Sequence, residues 1–431
     1  MTSQPTVAVG ILSAKEIHFT LTGIFSTPGE AVVTGPQTVR LSEGGMGMEW
    51  NGKISHDIEF VPTSADGDTF ELEGVTIGVN FHWERKENQR FRGSLRIVCH
   101  DGALTAINII PAEDYLVSVI SSEMSAQSSA ALLRAHAVIS RSWLMARINS
   151  PRTLKAPVVK KASGEVIRWW DHEDHDIFDV CADDHCQRYQ GIGRATGTAA
   201  ASAVADTRGM VLTDADGKLC DTRFSKCCGG VFERFESCWD DEPHPYLVPR
   251  RDWTDPTDFL DLTVEENAVA WIEGAPEAFC NTRSERILGQ VLNSYDREQL
   301  DFYRWEEHYT AARISHLVNT RLGTDLGDIT DLIPIERGTS GRIVRLRITG
   351  TKDEVTIGKE LMIRRALSES HLRSSAFTVR KTEDGFTLRG AGWGHGVGLC
   401  QIGAAVMGER GYAYEEILAR YYPGARLTRL Y

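Results

Sequence analysis

Five glycines occupy every second position of one stretch, at 390, 392, 394, 396 and 398. Alternate residues of an extended strand face the same side, so this spacing leaves one face without side chains. Glycine is costly in a strand, and a bare face allows close approach by a ligand or by another backbone segment. We therefore predict an extended strand whose bare face either floors a ligand groove or packs tightly in the core. The G-x-G-x-x-G spacing of dinucleotide-binding loops is absent.

Length and composition are those of an ordinary globular protein. The 431 residues are 42% hydrophobic and 25% charged, and this length favours two to three domains. The 47 basic and 60 acidic residues give a net charge of −13, which disfavours general binding to nucleic acid or anionic membranes. The apolar runs are too short to span a bilayer. The start, MTSQPTVAVGIL, shows no export signal, so we expect either a cytoplasmic protein or one whose leader precedes Met1.

The predicted fold class is α+β, with irregular mixed sheets and hairpins and an N-terminal all-β region. Residues 1–95 show the alternation of apolar and polar residues that is typical of strands, for example over 17–21, 70–77 and 79–83. Residues 96–431 are predicted to form the main functional region. Within it, residues from about 240 to 385 are predicted to form an inserted or secondary α+β subdomain.

Two helices are predicted in succession near residue 120. The first begins at Pro111, with acidic residues in its first turn. The second is long, with Ser128 or Ser129 as its N-cap, an apolar stripe from Leu132 to Ala146, and Arg134 and Arg141 on the opposite face. Further predictions are a helix over 310–322 that ends at Gly323, a strand over 344–348, a C-terminal helix that begins at Tyr414, and hairpins at Asp101-Gly102, Asp216-Gly217 and Asp384-Gly385.

Glu123 is the first candidate for chemistry, because it lies in the break between these two helices, in SSEMS. A carboxyl at such a corner, beside Met124, could occupy a partly apolar pocket. Desolvation there would favour the protonated carboxyl that a general acid needs. The alternative is a solvated glutamate that caps a helix.

A segment rich in histidine and cysteine, WWDHEDHDIFDVCADDHCQRY, follows the long helix. Two cysteines and two histidines make a tetrahedral zinc set, although the spacing is not that of a zinc finger. The predicted ligands are His175, Cys181, His185 and Cys186, with His172 as a competitor. The alternative is a polar surface loop. Nine cysteines are an odd number, which suggests metal ligands or reduced thiols more than a disulfide framework.

A pair of cysteines precedes a pair of glycines in TRFSKCCGG. Gly229 and Gly230 predict a tight turn that exposes Ser225 or Cys227. Nucleophilic catalysis by Cys227 with His395 as its base is conceivable. An unreactive thiol is the favoured alternative.

Several of these segments together resemble the SpoIID/LytB family. The matching stretches, from about residue 95 to the C-terminus, are INIIPAEDYLVSVISSEM, ALLRAHAVISRSWLMA, TRFSKCCGG followed by PYL, SGRIVRLRITG, and GWGHGVGLCQIGA with GYAYEEILARYYPGA. Members often have Gln-Ala where this chain has His136-Ala137. They have Ser or Ala at the positions of Cys227 and Cys228, and Ser at the position of Cys400.

The resemblance implies a role in remodelling the cell wall, and hence a location in the cell envelope. One branch contains lytic transglycosylases that cut peptidoglycan glycan strands, and the other is described as enhancing a cell-wall amidase. The glutamate of the family's Glu-Met pair, its catalytic acid, falls on Glu123. The zinc that some members bind through the His/Cys segment is expected to be structural, since four protein ligands leave no site for water.

The resemblance also implies a glycan groove beside Glu123. Arg134 or Arg141 is expected either to orient Glu123 or contact the lactyl carboxylate of the sugar, or to form a surface salt bridge. The other residues expected to contact the glycan are Ser225, Gly229, Gly230, Trp393, His395 and Gln401. A zinc-dependent hydrolase and a non-catalytic, glycan-binding amidase enhancer are the rival functions.

Overall fold

The computed structural model describes residues 4–78, 84–149, 159–162, 164–169, 175–183, 185–193, 197–291 and 300–431. The strand predicted over 79–83 and the competing ligand His172 lie outside these residues. The predicted α+β class is confirmed, with a large β region at the N-terminus. No helix in the described part of the chain has the length and apolar character needed to cross a membrane.

The strands are defined by their bounds in chain order. They are β1 (Thr6–Ala14), β2 (Glu16–Thr27), β3 (Glu30–Leu41), β4 (Met48–Trp50), β5 (Lys53–Ser55), β6 (Asp57–Pro62), β7 (Thr69–Ile77), β8 (Arg85–Phe91), β9 (Ser94–His100), β10 (Ala103–Pro111), β11 (Val159–Ala162), β12 (Glu165–Arg168), β13 (Val180–Cys181), β14 (Met210–Thr213), β15 (Phe224–Ser225), β16 (Arg304–Thr310), β17 (Ile329–Arg337), β18 (Ile343–Gly350), β19 (Glu354–Gly358), β20 (Phe377–Lys381), β21 (Gly385–Ala391), β22 (Leu399–Cys400) and β23 (Arg426–Arg429).

The helices are defined in the same way. They are α1 (Ala112–Glu123), α2 (Ala130–Asn149), α3 (Thr198–Asp206), α4 (Glu265–Gly274), α5 (Glu285–Val291), α6 (Ala311–Leu322), α7 (Glu360–Ala366), α8 (Gln401–Glu409) and α9 (Tyr414–Tyr421), with a short 3-10 turn at Phe235–Ser237.

The largest sheet joins eleven strands in the order β13-β1-β10-β9-β6-β2-β3-β4-β5, with β7 added beside β2 and β8 beside β7. Alternate residues of a strand face the core, and in β2 the buried residues are Ile17, Phe19, Leu21 and, further along the strand, Phe25. The predicted hairpin between β9 and β10 turns at Asp101 and Gly102, whose φ angles are +49° and +72°. Both angles are positive, as a type I′ turn requires.

The other sheets are smaller and lie mainly in the C-terminal half. Their strand orders are β11-β12-β19-β18-β17, β16-β21-β20, β14-β23 and β15-β22. The strands and helices between Trp305 and Leu388 enclose a hydrophobic cluster of their own, with Ile314, Leu346 and Phe377 among its buried members. Another cluster runs from the N-terminal strands through α1, α2 and α8 to Tyr422, and it crosses residue 95 without interruption. The domain boundaries at 95, 240 and 385 stay predictions.

The two helices near residue 120 begin close to where the sequence places them. Pro111 is the residue before α1 rather than its first residue, with φ −58° and ψ 141°. Ser129 caps α2, since its hydroxyl accepts a hydrogen bond from the backbone N–H of Leu132 at 3.2 Å. The helix α6 begins after Thr310 and ends at Gly323, as predicted.

Candidate functional site

Glu123 is the last residue of α1, and its side chain is held inside the protein. The residue is 8% exposed, and Met124 beside it is 3% exposed. The carboxylate oxygen Oε1 accepts a hydrogen bond from the backbone N–H of Arg188 at 3.4 Å. Glu123 is therefore not a solvated surface residue.

The segment that carries Arg188 lies along α1 and is fixed by buried contacts. The Ser118 hydroxyl donates to the carbonyl of Gly191 at 2.7 Å, and the Tyr189 hydroxyl donates to Oδ1 of Asn108 at 2.5 Å. The ring of Tyr115 stacks on that of Tyr189 with centroids 5.1 Å apart. These contacts set the position of the N–H group that meets Glu123.

The four predicted metal ligands converge at the start of this segment. His175, Cys181, His185 and Cys186 each place one ligand atom within 4.8 Å of the others. Cys186 Sγ lies 3.5 Å from His175 Nε2 and 3.5 Å from His185 Nδ1, and Cys181 Sγ lies 3.9 Å from His185 Nδ1. Two thiols and two imidazoles in such a group could hold one tetrahedral metal ion.

One of the two cysteines is already favoured as a thiolate, whereas the hydrogen bond with Cys181 and burial raise the pKa of the Cys186 thiol well above its usual value. The pKa of the Cys181 thiol is lowered to about 2, chiefly by a hydrogen bond from Cys186 and then by His175 and His185. Metal binding requires the deprotonated thiolate, which this environment already favours at Cys181.

The ligand group and Glu123 share a buried neighbour, Tyr115. Burial raises the pKa of Tyr115 well above its usual value, and the charges of Cys186, Cys181 and Glu123 raise it further. The Tyr115 ring of α1 therefore lies within electrostatic range of both the predicted acid and the two cysteines of the predicted metal group.

The stretch of alternating glycines is not an extended strand, and that prediction was wrong. The strand β21 ends at Ala391, and the glycines at 392, 394, 396 and 398 have φ angles of +77°, +92°, +76° and +69°. Residues with a Cβ rarely adopt this left-handed conformation. The backbone conformation therefore accounts for glycine at every second position.

The side of this stretch that lacks side chains is filled by the protein itself. A Cβ at Gly392 would lie 2.7 Å from the carbonyl oxygen of Cys227, and one at Gly394 would lie 3.0 Å from Cβ of Ser225. A Cβ at Gly396 would overlap the guanidinium of Arg342, and one at Gly398 would overlap the carbonyl of Arg223. Gly390, Gly392, Gly396 and Gly398 are thus buried among other described residues, and only Gly394 is half-buried, so the stretch does not present the bare strand face that was predicted to floor a groove.

Gly229 and Gly230 form the predicted turn, but it faces the core. Their φ angles are +83° and +106°. A Cβ at Gly229 would lie 3.1 Å from the backbone of Ala391, and one at Gly230 would lie 2.9 Å from the ring of Trp271. The expectation that these two glycines contact substrate is therefore corrected, because their open side is occupied by other residues.

Ser225 has a buried hydroxyl whose capacity for a hydrogen bond is not used by the described residues. It is 7% exposed, and its hydroxyl has no hydrogen-bond partner among the described residues. It lies in β15, which pairs with β22, and it faces the half-buried Gly394. A buried hydroxyl without a partner is costly, so Ser225 stays a candidate ligand contact because of this unused hydrogen bond and not because of its exposure.

Trp393 and His395 flank Gly394 and are half-buried. The His395 ring lies edge-on to Trp239 with centroids 4.7 Å apart, and its Nδ1 accepts the backbone N–H of Val397 at 3.0 Å. Burial lowers the pKa of His395 well below its usual value, and the charges of Arg223 and Arg342 lower it further. His395 is therefore a neutral ring.

Cys227 and His395 do not form the nucleophile and base pair that the sequence allowed. Cys227 is fully buried, and burial raises its pKa well above the usual value. Its thiol hydrogen-bonds with Cys280 and Cys400, while His395 bonds to the backbone of Phe224 and Val397. The alternative of an unreactive thiol is the one the structure supports.

Gln401 is directed inward and does not face a ligand, contrary to expectation. It is 2% exposed, and its Nε2 lies 3.2 Å from Nε2 of His136. The other ring nitrogen of His136 lies 3.2 Å from the Ser140 hydroxyl. Burial, followed by the charge of Lys226, lowers the pKa of His136 to about 3, so the pair is neutral.

The two arginines of α2 have different environments. Arg141 is fully buried and forms a bidentate ion pair with Glu113, with distances of 2.8 and 2.7 Å. Arg141 was expected to orient Glu123, to contact the substrate or to form a surface salt bridge. All three expectations are wrong, because the guanidinium N–H groups of Arg141 bond to Glu113 and to backbone carbonyls in the core. Arg134 lies near the surface and pairs with Asp206 at 2.7 Å, which is the salt-bridge alternative.

The turn after Glu123 and the segment of Ser225 meet at the end of α5. The backbone N–H of Ser125 donates to the carbonyl of Gln290 at 2.9 Å, and the Ser128 hydroxyl donates to the same carbonyl at 2.8 Å. Lys226 Nζ donates to the carbonyl of Val291 at 2.6 Å. The predicted acid and the unpaired hydroxyl of Ser225 therefore belong to neighbouring parts of the fold.

Two family models match separate parts of the chain. Residues 100–213 match the model described as "Stage II sporulation protein", and residues 233–398 match a domain of unknown function, DUF8618. The first match includes α1, α2, Glu123 and the four metal-ligand candidates.

Curated relatives match at low identity. The amidase enhancer of Bacillus subtilis (strain 168) is 27% identical over 248 residues, which are 52% of this chain and 32% of that protein. Stage II sporulation protein D of the same organism is 23% identical over 325 residues, or 75% of this chain and 76% of the relative. An uncharacterized protein of Brachyspira hyodysenteriae (strain ATCC 49526 / WA1) is 24% identical over 393 residues, which are 91% of this chain and 82% of that protein. The chain thus spans about a third of the amidase enhancer.

Proposed function

We propose that this chain, which belongs to the SpoIID/LytB family, has a role in the cell wall as a peptidoglycan lytic transglycosylase. In this proposal it cleaves the bond between MurNAc and GlcNAc in glycan strands and leaves 1,6-anhydroMurNAc ends. The observation that carries the proposal is the burial of Glu123 at the end of α1, with its Oε1 bonded to a backbone N–H.

A single carboxyl group is sufficient for this reaction. Glu123 donates its proton to the leaving glycosidic oxygen as the bond from that oxygen to C1 of MurNAc breaks. The 6-hydroxyl of the same MurNAc attacks C1, and the Glu123 carboxylate takes the proton from that hydroxyl. The proton on Glu123 is thereby restored, and no water enters the reaction. Hydrolytic glycosidases, in contrast, use two carboxylates.

The N–H of Arg188 has a defined place in this cycle. It donates to Oε1 of Glu123, so it stabilises the carboxylate formed after the first proton transfer and fixes the orientation of the group. The other oxygen, Oε2, is the one we assign to proton exchange with the sugar.

The metal at the four His and Cys ligands is proposed to be a structural zinc ion. Two thiolates and two imidazoles complete a tetrahedral shell, so the ion holds together the chain that carries these four ligands and does not activate water. This segment is also tied to β1, since the Asp179 carboxylate accepts the backbone N–H of Ala8 at 2.8 Å. These contacts would fix the position of the backbone N–H of Arg188 relative to the Glu123 carboxylate.

Ser225, Trp393 and His395 are the residues that we propose for contact with the glycan. The unpaired Ser225 hydroxyl can bond to a sugar hydroxyl or acetamido group, and Trp393 and His395 offer half-buried rings beside it. Peptidoglycan as substrate also implies that the protein works in the cell envelope.

The second candidate function is non-catalytic enhancement of a cell-wall amidase. The observation that favours it is the match to the amidase enhancer at 27% identity. In that case Glu123 is a buried hydrogen-bonding residue of a glycan-binding surface. The amidase would be a separate partner protein.

The deciding experiment is digestion of purified glycan strands, with and without stem peptides, by the chain alone. Mass spectrometry should find products with anhydro ends, one water lighter than products of hydrolysis. Glu123→Gln should lower their release by about 10²–10⁴-fold, because the amide cannot exchange the proton. Glu273→Gln, an exposed glutamate of α4, is the matched control and should act as wild type.

Full activity of the Glu123→Gln variant would contradict the proposal. A wild-type chain that releases nothing alone, but increases the activity of an added amidase, would support the enhancer function instead. Circular dichroism of the variant checks that its fold is retained.

A further inference from the structure

A second group of metal-ligating side chains lies in the core, and none of its members belongs to the first group. Cys228, Asp252, Cys280 and Cys400 each place one ligand atom within 4.8 Å of the other three. The residues are 2%, 0%, 1% and 0% exposed. They come from the turn before Gly229, from the irregular chain on either side of α4, and from the residue that precedes α8.

We propose that these four side chains bind one tetrahedral metal ion of the Zn²⁺ type, through three thiolates and one carboxylate. A zinc–sulfur bond of about 2.3 Å in a tetrahedron places two thiolates about 3.8 Å apart. Cys228 Sγ and Cys280 Sγ are 3.6 Å apart. An iron–sulfur cluster divides its four ligands between two or more iron atoms, so the four ligand atoms could not all lie within 4.8 Å of one another as they do here.

The surroundings of Asp252 support a cation at this place. Among the described residues its hydrogen-bond partners are the Tyr421 hydroxyl at 2.9 Å, the backbone N–H of Cys280 at 3.1 Å and the Cys280 thiol. All three are neutral. A fully buried carboxylate without a countercharge is costly, and a divalent ion would supply that charge.

Backbone N–H groups are directed at two of the sulfurs. The N–H of Gly230 lies 3.4 Å from Cys228 Sγ, and the N–H of Cys228 lies 3.3 Å from Cys400 Sγ. Such donors stabilise thiolates, and the Tyr421 hydroxyl orients the carboxylate in the same way. The site thus has ligands and the hydrogen bonds that hold them.

A disulfide is the principal alternative. It would bring two sulfurs to about 2.05 Å. A Cys228–Cys280 disulfide would leave the Asp252 carboxylate buried without a countercharge and would make no use of Cys400. A metal ion uses all four groups.

The ion would join chain segments that are far apart in sequence. The turn at Cys228 is also bonded to the glycine stretch, since Cys227 and Trp393 exchange backbone hydrogen bonds of 3.0 and 2.8 Å. The ion would therefore hold in place the segment that carries Trp393 and His395. This consequence does not depend on the proposed reaction.

The test is the metal content of the full chain, purified under reducing conditions and measured by elemental mass spectrometry. Cys280→Ser should lose one ion per chain relative to wild type. Cys220→Ser, a buried cysteine outside both ligand groups, should lose none. Cys181→Ser should not affect this ion, so the two sites are separable.

Tyr421→Phe keeps all four ligands and is the variant least expected to disturb folding. Loss of its bond to Asp252 should lower metal affinity by about 10–100-fold, measured by competition with a chelator. Reconstitution with Co²⁺ gives a second measurement, because thiolate-to-cobalt absorption should decrease in Cys280→Ser. An unchanged metal content in Cys280→Ser, or a Cys228–Cys280 disulfide found by peptide mapping of fresh protein, would overturn the proposal.

Discussion

The backbone N–H of Arg188 donates to Oε1 of Glu123 at 3.4 Å, and Arg188 stands two residues after Cys186 in the chain. The residue proposed as acid is therefore contacted by the loop that carries the four metal-ligand candidates. A metal at this loop can influence the reaction by position alone, without touching the substrate.

Loss of the metal at this loop is expected to reduce activity through Glu123. Cys181→Ser should lose one ion and lower kcat by about tenfold or more, since the N–H of Arg188 is no longer held in place. Cys99→Ser, a half-buried cysteine of β9 outside the ligand groups, is the control. Metal analysis and the glycan assay measure the two effects. A variant without the ion that kept full activity would show that the loop does not position Glu123.

The two arginines of α2 should differ strongly in their effect on stability. Arg141→Met breaks a buried ion pair with Glu113 and should lower the free energy of unfolding by about 3–5 kcal/mol. Arg134→Met removes an exposed pair with Asp206 and should cost about 1 kcal/mol or less. Chemical denaturation of both variants measures the difference. Equal losses of stability in the two variants would contradict the prediction that the buried ion pair contributes more than the exposed one.

The same buried pair predicts a dependence of stability on pH. Burial opposes ionisation of Glu113, but the hydrogen bonds and charge of Arg141 outweigh it and lower the pKa of Glu113 below the usual value. A lowered folded-state pKa stabilises the fold fully above the unfolded value of about 4.3, and this contribution is lost as pH falls through the folded pKa. The stability difference between wild type and Glu113→Gln should therefore shrink below about pH 4. A difference that stays constant from pH 6 to pH 3 would argue against this assignment.

Close packing of the glycine stretch predicts a large effect of one methyl group. Gly398 has φ +69°, and a Cβ there would overlap the carbonyl of Arg223. Gly52 has φ +70°, with nothing within 4 Å of a Cβ. Gly52→Ala should cost about 1–2 kcal/mol of strain, whereas Gly398→Ala should cost at least about 3 kcal/mol. Thermal or chemical unfolding of the two variants compares them directly, and similar values would mean that the backbone at Arg223 can move.

The sequence predicted those elements whose signals are local. The alternation of Ile17, Phe19 and Leu21, the turn at Asp101-Gly102, and the cap and end of α6 at Thr310 and Gly323 all depend on nearby residues, and each was confirmed. The glycine stretch was interpreted wrongly because alternation has two causes. A bare strand face and a series of left-handed residues both require glycine at every second position.

Long-range partners explain the errors at the site. Arg141 was placed on a polar face of α2, but Glu113 from α1 pairs with it in the core. Gln401 was expected to contact a ligand, but its side-chain amide hydrogen-bonds with His136 of α2 instead. Cys280 and Asp252 lie in irregular chain, and nothing in their spacing connects them with Cys228 and Cys400. Periodicity cannot reveal pairs that only the tertiary fold brings together.

The left-handed glycines also bear on the order of folding. Gly392, Gly394, Gly396 and Gly398 have no side chains with which to nucleate local structure, and their packing partners lie at 223–227 and at Arg342. The chain between them must close long loops before these contacts form, which is slow because of the entropy lost. We therefore expect this stretch to become ordered late, after the segments that surround it, and the rings of Trp393 and His395 to reach their final positions only in the last steps of folding.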